Sequence, residues 1–192
     1  MKYDNLVLAS AQDGLRDVHN TYIKTISSQG MALSLETSSL VWEICNLLNP
    51  TSILDLGSGF SSYVTRNWTK NHPQTTTWSV DDDRNWLEQS KIFCKQQNVS
   101  IENFEIWDTF KRKDLKFDVV IYDLGRMQCR SENLVNGLNF KSQNGIVIVD
   151  DMHKFNYSIE VKQAIHNMNL TGYDMKKLTT DKHEGRHCWV VE

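Results

Sequence analysis

Long apolar runs are missing from this chain, and so is any surplus of positive charge. No stretch approaches membrane-spanning length, which excludes a transmembrane helix. The opening MKYDNLVLASA carries Lys2 and ends in small residues, but Asp4 interrupts it and the apolar run from Leu6 to Ala9 is too short for a signal core. A net charge of −3 gives no global basic field, so bulk electrostatics offer nothing to a nucleic-acid partner. Lys111, Arg112, Lys113 and Lys116 form the one basic cluster, and a solvated loop accounts for it. Cysteine is sparse as well: residues 45, 94, 129 and 188 are spaced too widely for a zinc knuckle or a redox pair, and read as reduced, mostly buried thiols. These absences point to a soluble cytoplasmic protein. There are only two prolines, and no repeat or low-complexity segment. With 192 residues, 40% of them apolar, the chain suits one domain: a helical N-terminal cap over 1–49 and a core over 50–192.

What is present alternates between short apolar runs and helical stretches. Leu15, Val18, Tyr22 and Ile26 share one helical face between Gly14 and Ser28, a helix suited to serve as a substrate lid, a dimer surface or ordinary packing. Leu40, Val41, Ile44, Leu47 and Leu48 mark a second helix that Pro50 closes. Strands are expected at Ser52 to Leu56, TTTWSV, FEIW, FDVVIY and IVIV, the last entered through a turn at Asn144-Gly145, with helices between them. YDMKKL and HCWVV read as two closing strands. The order predicts a doubly wound, Rossmann-like α/β sheet with helices on both faces and its ligand at the carboxyl ends of the central strands.

The stretch SILDLGSGFSS, Ser52 to Ser62, runs from a strand through two glycines into a helix start, the usual cradle for a nucleotide-like ligand. Asp55, Asp81, Asp108, Asp123 and Asp150 each fall at or just past a strand end, so five acids are expected along one rim. Asp81 stands where a second strand offers a carboxylate to two ribose hydroxyls, which implies an adenosine-bearing ligand.

At four places, in order and spacing, the sequence resembles the class I S-adenosylmethionine (SAM)-dependent methyltransferases: LDLGSGFSS, SVDDDRNWL, FDVVIYDLG and NGIVIVDD. MALSLETSSLVWEI is similar to the lead-in helix of their small-molecule, O-methyltransferase-like branch. The resemblance implies a seven-stranded sheet with a reversed last strand. It also implies SAM as cofactor, with Asp55, Gly57, Ser58, Gly59 and Ser61 around its methionine part and Asp81, then Asp82, at its ribose. Trp107 and Asp108 would hold the adenine, although Trp107 fits a core position equally well. A dinucleotide dehydrogenase would want a third glycine near Ser62 and no acid at Asp55. A base-modifying enzyme would want prolines after strand four, where YDLGRM stands. The acceptor is therefore expected to be a small molecule, most simply a hydroxyl; a cofactor-binding protein without transfer activity and a metal-free N-methyltransferase are the alternatives.

On the acceptor side, Asp123, Asp150 and Asp151 are three carboxylates expected to converge, and like charges at close range need something positive between them. Mg²⁺ with oxygen ligands fits that requirement and is similar to metal-assisted O-methyltransferases. A metal-free reading has Asp123 contacting the cofactor's ammonium and the acid pair capping the next segment. Asp123 and His153 are the candidate catalytic residues, His153 as general base or else as an ordinary loop histidine.

Overall fold

The computed structural model describes residues 3, 5–128 and 130–192. Lys2 and Asp4 of the opening segment, and the thiol of Cys129, lie outside them. Helices α1 (Ala9–Thr25) and α2 (Leu35–Leu48) precede β1 (Ser52–Leu56), α3 (Phe60–Thr69), β2 (Thr76–Asp81), α4 (Arg84–Gln96), β3 (Phe104–Ile106) and the short α5 (Trp107–Phe110). There follow β4 (Phe117–Tyr122), α6 (Leu134–Asn139), β5 (Lys141–Val149), α7 (Phe155–Asn167), β6 (Gly172–Asp174), α8 (Lys176–Thr179) and β7 (Trp189–Val191).

The seven strands form one sheet in the order β3-β2-β1-β4-β5-β7-β6, parallel except for β7, which runs antiparallel to both neighbours. Strand alternation sends successive side chains to opposite faces. Ile53, Val119, Ile121, Ile146 and Ile148 pack with α1 to α4, while Leu54, Leu56, Val120, Tyr122, Val147 and Val149 pack with α5 to α7. Two apolar layers thus cover a sheet whose central strands are apolar on both sides, as parallel strands between helices require. Ser34 starts α2 by accepting from the Thr37 amide at 3.0 Å, and Asn49, in the left-handed region at φ 45°, ends it before Pro50.

Register decides what stands on the carboxyl rim. Leu56 pairs with Val80 and with Tyr122, and Tyr122 pairs with Val149. Gly57, Asp81, Asp123 and Asp150 therefore end adjacent strands at nearly one level. The rim is tied by backbone bonds: Gly57 N–H to Val80 C=O at 2.9 Å, Asp123 N–H to Leu56 C=O at 2.7 Å and Asp150 N–H to Tyr122 C=O at 3.1 Å.

Three local expectations change. Asn144-Gly145 lies inside β5, where the β4 register shifts between Phe117 and Val119. A Cβ on Gly145 would meet Phe117 O at 2.6 Å, so its glycine serves a close backbone approach at a bulge and makes no turn. YDMKKL is strand only to Asp174: the Asp174 carboxylate accepts from the Lys176 amide at 2.8 Å and starts α8. The helix expected from Gly14 to Ser28 begins earlier, at Ala9, and buries Ala11, Leu15, His19 and Tyr22 against α2 and α3. Among the described residues no helix is long and apolar enough to cross a membrane. Cys45, Cys94 and Cys188 are buried free thiols.

Candidate active site

β1 leaves the sheet through Gly57, whose φ of 97° lies in the region open to glycine. Space allows no alternative: a Cβ there would come within 2.4 Å of Asp123 O and 2.9 Å of Leu124 N. The turn continues through Ser58 and Gly59 into α3, with the Ser62 hydroxyl accepting from the Gly59 amide at 3.3 Å. Beside this turn opens a cavity of about 850 Å³, in the range of cofactor and substrate pockets. Its wall includes Gly57, Ser58, Gly59, Phe60 and Ser61 from the turn, Asp81 to Arg84 and Trp86 from the β2–α4 junction, and Asp123 and Gly125 after β4. Tyr22 of α1 and residues 30–33 cover it.

Asp81 is 4% exposed, and burial pushes its carboxyl up to about 7 despite bonds from the Asp83 amide at 2.9 Å and the Ser58 hydroxyl at 2.8 Å. The nearby Asp83 caps α4 through the amides of Asn85 and Trp86, at 2.8 and 3.1 Å. That cap brings the Trp86 indole over the turn, where its N–H donates to Ser58 C=O at 2.5 Å.

Across the cavity the Arg130 guanidinium stands between two acids. Its Nη1 pairs with Asp123 Oδ1 and with Asp151 Oδ2, the latter at 2.5 Å. Nη2 and Nε both donate to Gly125 C=O, at 3.0 and 3.2 Å. Burial alone would favour the neutral guanidine, but Asp123 and Asp151 more than offset it and hold the charge firmly. Burial, followed by the Asp151 and Asp150 charges, works against ionisation of Asp123, and direct contact with the Arg130 guanidinium opposes them and sustains the carboxylate. Asp151 sits at φ 60°, a strained position that asparagine and aspartate tolerate better than most residues.

Neither a protein-family model nor a curated protein matches the sequence. Solved structures do match. The O-methyltransferase TomG of Streptomyces achromogenes, involved in tomaymycin synthesis and solved with SAM, superimposes with a TM-score of 0.61 at 14% identity, over 96% of this chain and 87% of that one. The methyltransferase PaMTH1 of Podospora anserina, bound to S-adenosylhomocysteine (SAH), gives 0.61 at 12% identity, over 96% and 86%. For a putative O-methyltransferase of Klebsiella pneumoniae the score is 0.65 at 13% identity, over 95% and 94%. The fold is that of the class I SAM-dependent methyltransferases.

Within this methyltransferase fold the expected residues separate into those on the cavity and those elsewhere. Gly57, Ser58, Gly59, Ser61, Asp81, Asp82, Asp123 and Asp151 line it. Ser58 has its hydroxyl committed to Asp81, so it positions that acid.

Asp55 lies beneath the turn and is fully buried, accepting from the hydroxyls of Ser62 at 2.5 Å and Ser79 at 3.2 Å. Burial raises it to about 6, with the Ser62 and Ser61 hydroxyls, Arg66 and the Ser79 hydroxyl opposing. It stands one residue short of the strand end, in the sheet–helix layer shared with Ile53, and its bond from Ser62 ties it to the first turn of α3. Trp107 does not reach the cavity either: it opens α5, packs at 6.1 Å on Phe140 and donates to Asn133 at 3.3 Å. Asp108 is exposed and pairs with Lys111 at 2.6 Å. Trp107 thus takes the core position that the sequence left open beside the adenine reading, and neither residue is on the cavity wall. The half-buried Trp86 supplies aromatic surface on the cavity, while the Phe60 ring is packed in the core against His19, Tyr22 and Tyr63.

His153 is not on the cavity wall. Both ring nitrogens are buried without hydrogen-bond partners among the described residues, Nδ1 lying 3.6 Å from Asp151 Oδ1. Burial lowers its proton affinity, and a direct role as general base does not follow from this placement. The three-carboxylate metal site also needs correction. Asp150 is 3% exposed and off the cavity, and Arg130 holds the place between the other two acids. Among the described residues no group of three or more His, Cys, Asp or Glu side chains is arranged to hold a metal, so this set does not fit Mg²⁺ as it stands.

Three contributors escaped the sequence reading: Tyr22 as a cavity residue, Trp86 and Arg130. Arg130 had a usable signal. The convergent acids demanded a cation, and RMQCR offered two arginines within reach of strand four.

Proposed function

We propose that the chain binds SAM in the cavity beside Gly57 and transfers its methyl group to a small-molecule hydroxyl. The observation carrying this reading is the conjunction in one cavity of the glycine turn, the start of α3 and the buried Asp81 carboxylate at the ends of β1 and β2. When bound, the cofactor supplies a methyl already activated by its sulfonium charge. Gly57 and Gly59 let backbone approach the methionine part, and the start of α3 offers a favourable dipole to its carboxylate. Asp81, held by Ser58 and the Asp83 amide, accepts from the ribose hydroxyls. Trp86 gives the adenosyl group an apolar face. Met31, Met127 and Lys154 line more of the cavity and form the acceptor side in this reading. The hydroxyl preference draws on neighbours described as O-methyltransferases.

Calorimetric titration with SAH and with NAD tests the cofactor, and labelled SAM with a panel of phenols, sugars and amines tests the transfer. Binding of SAH and label in the phenol or sugar arm are expected. Binding of NAD without SAH overturns the reading; label only in amines moves the acceptor to nitrogen, and SAH binding without any label leaves a cofactor-binding protein.

A further inference from the structure

The acids after β4 and β5 pose an electrostatic problem that the fold solves with one side chain. Asp123 and Asp151 come from different strand ends, yet both reach Nη1 of Arg130. Asp150 adds a third negative group close enough to raise Asp123 further. The guanidinium side chain is only 10% exposed, and Nε and Nη2 each donate to the Gly125 carbonyl. A group held by two carboxylates and a fork to backbone cannot swing out without leaving all of them unpaired inside the protein, which is costly.

We propose that Arg130 is the resident cation of this site: it occupies the position that a divalent ion would otherwise take between Asp123 and Asp151, and it makes the chemistry of this cavity independent of divalent metal. The part of this statement that concerns transfer rests on the methyltransferase reading; the part that concerns the cation position does not. Two consequences are specific. The wild-type chain has no vacancy for a divalent ion among these acids. Removal of the arginine charge exposes an oxygen-rich pocket that recruits one, with the modest affinity of a site not shaped for it.

The test is a Mn²⁺ titration of the full chain, stripped with chelator, reading the electron paramagnetic resonance of the free ion, with melting curves recorded in parallel. Wild type is expected to show no saturable binding and no change in melting temperature with Mn²⁺ or Mg²⁺. R130A is expected to bind one Mn²⁺ with a dissociation constant on the order of 10⁻⁴–10⁻³ M, typical of weak oxygen sites, and to melt higher when the ion is added. Adding D151N to R130A is expected to abolish both effects. R130Q repeats the measurement should R130A be insoluble. Saturable Mn²⁺ binding by wild type that D123N or D151N removes overturns the proposal, as does a folded R130A or R130Q that binds no ion. Neither readout needs cofactor or acceptor, so a failure here is distinguishable from a failure of SAH binding. If SAH binds and transfer is found, full wild-type turnover in excess chelator is expected, and a loss of about tenfold restored by Mg²⁺ overturns the metal-independence.

Discussion

Replacing Gly57 by alanine tests the turn on which the cavity depends. A Cβ at that position would approach the Asp123 carbonyl oxygen and carbon to 2.4 and 2.5 Å, and the Leu124 nitrogen to 2.9 Å. All three are backbone atoms, so no side chain can move aside. They belong to the segment that carries Asp123, whose amide is bonded to Leu56 C=O at 2.7 Å, and Gly57 itself is bonded to Val80 C=O at 2.9 Å. Relief of the overlap must stretch one of these ties. A non-glycine residue at φ 97° costs about 1–2 kcal/mol, and overpacking against backbone adds roughly 1–3 kcal/mol. The expected loss is therefore about 2–5 kcal/mol, or a drop of roughly 5–15 °C in melting temperature for a chain of this size. Because the displaced segment forms cavity wall, SAH affinity should fall by at least about tenfold even at temperatures where the variant is folded. Gly14→Ala is the control: nothing lies within 4 Å of its added Cβ and it sits inside α1, so it should be neutral or stabilise by up to about 1 kcal/mol. Scanning calorimetry and SAH titration measure both. A Gly57→Ala protein that melts within about 1 °C of wild type, the range of an ordinary surface substitution, and binds SAH equally well would refute the account of the turn.

Asp81, titrating at about 7 in the free protein, should be ionised when it accepts ribose hydroxyls, so binding releases protons near neutrality and SAH affinity should be about tenfold weaker at pH 6 than at pH 8. Titration of Asp81→Asn should show weaker binding and a flat pH profile; an unchanged profile would place the titrating group elsewhere. Asp150 is buried with Oδ1 unpartnered among the described residues, and burial raises it to about 7, followed by the neighbouring Asp151 charge. A raised folded-state value means that its contribution to stability is intact below about pH 4 and is lost as pH climbs through 7. Melting curves of Asp150→Asn should then exceed wild type by about 2–4 kcal/mol at pH 8 and match it near pH 4; equal curves at both pH values would contradict this. Arg66, 1% exposed, donates to Ser79 at 2.5 Å and to Glu102 C=O at 2.9 Å and lies 4.1 Å over the Phe104 ring. Its replacement by alanine should cost about 3–5 kcal/mol in chemical denaturation, because Asp55 loses a buried counter-charge and the Glu102 carbonyl and Ser79 hydroxyl lose their donor; a loss below about 1 kcal/mol would contradict this.

How far the sequence reaches can be seen residue by residue. Apolar runs such as FDVVIY and IVIV determined buried parallel strands, since only a sheet covered on both faces keeps such segments dry. Gly57 after β1 and Asp81 at the end of β2 were equally legible, because backbone freedom and a strand-terminal acid are local properties. Tertiary structure decided the rest. Asp55 and Asp81 share one sheet face, since Asp55 pairs with Ser79, but Asp55 stands two residues deeper, beneath the turn, while Asp81 reaches the rim and the cavity. Packing drew Trp107 into the core and left the half-buried Trp86 indole on the cavity. The charge between Asp123 and Asp151 came from Arg130, in a segment with no periodicity to announce its direction. Local chemistry dictates which elements form and where the chain must turn; which charges meet depends on distances between segments far apart in the chain, and those exist only once the sheet has closed.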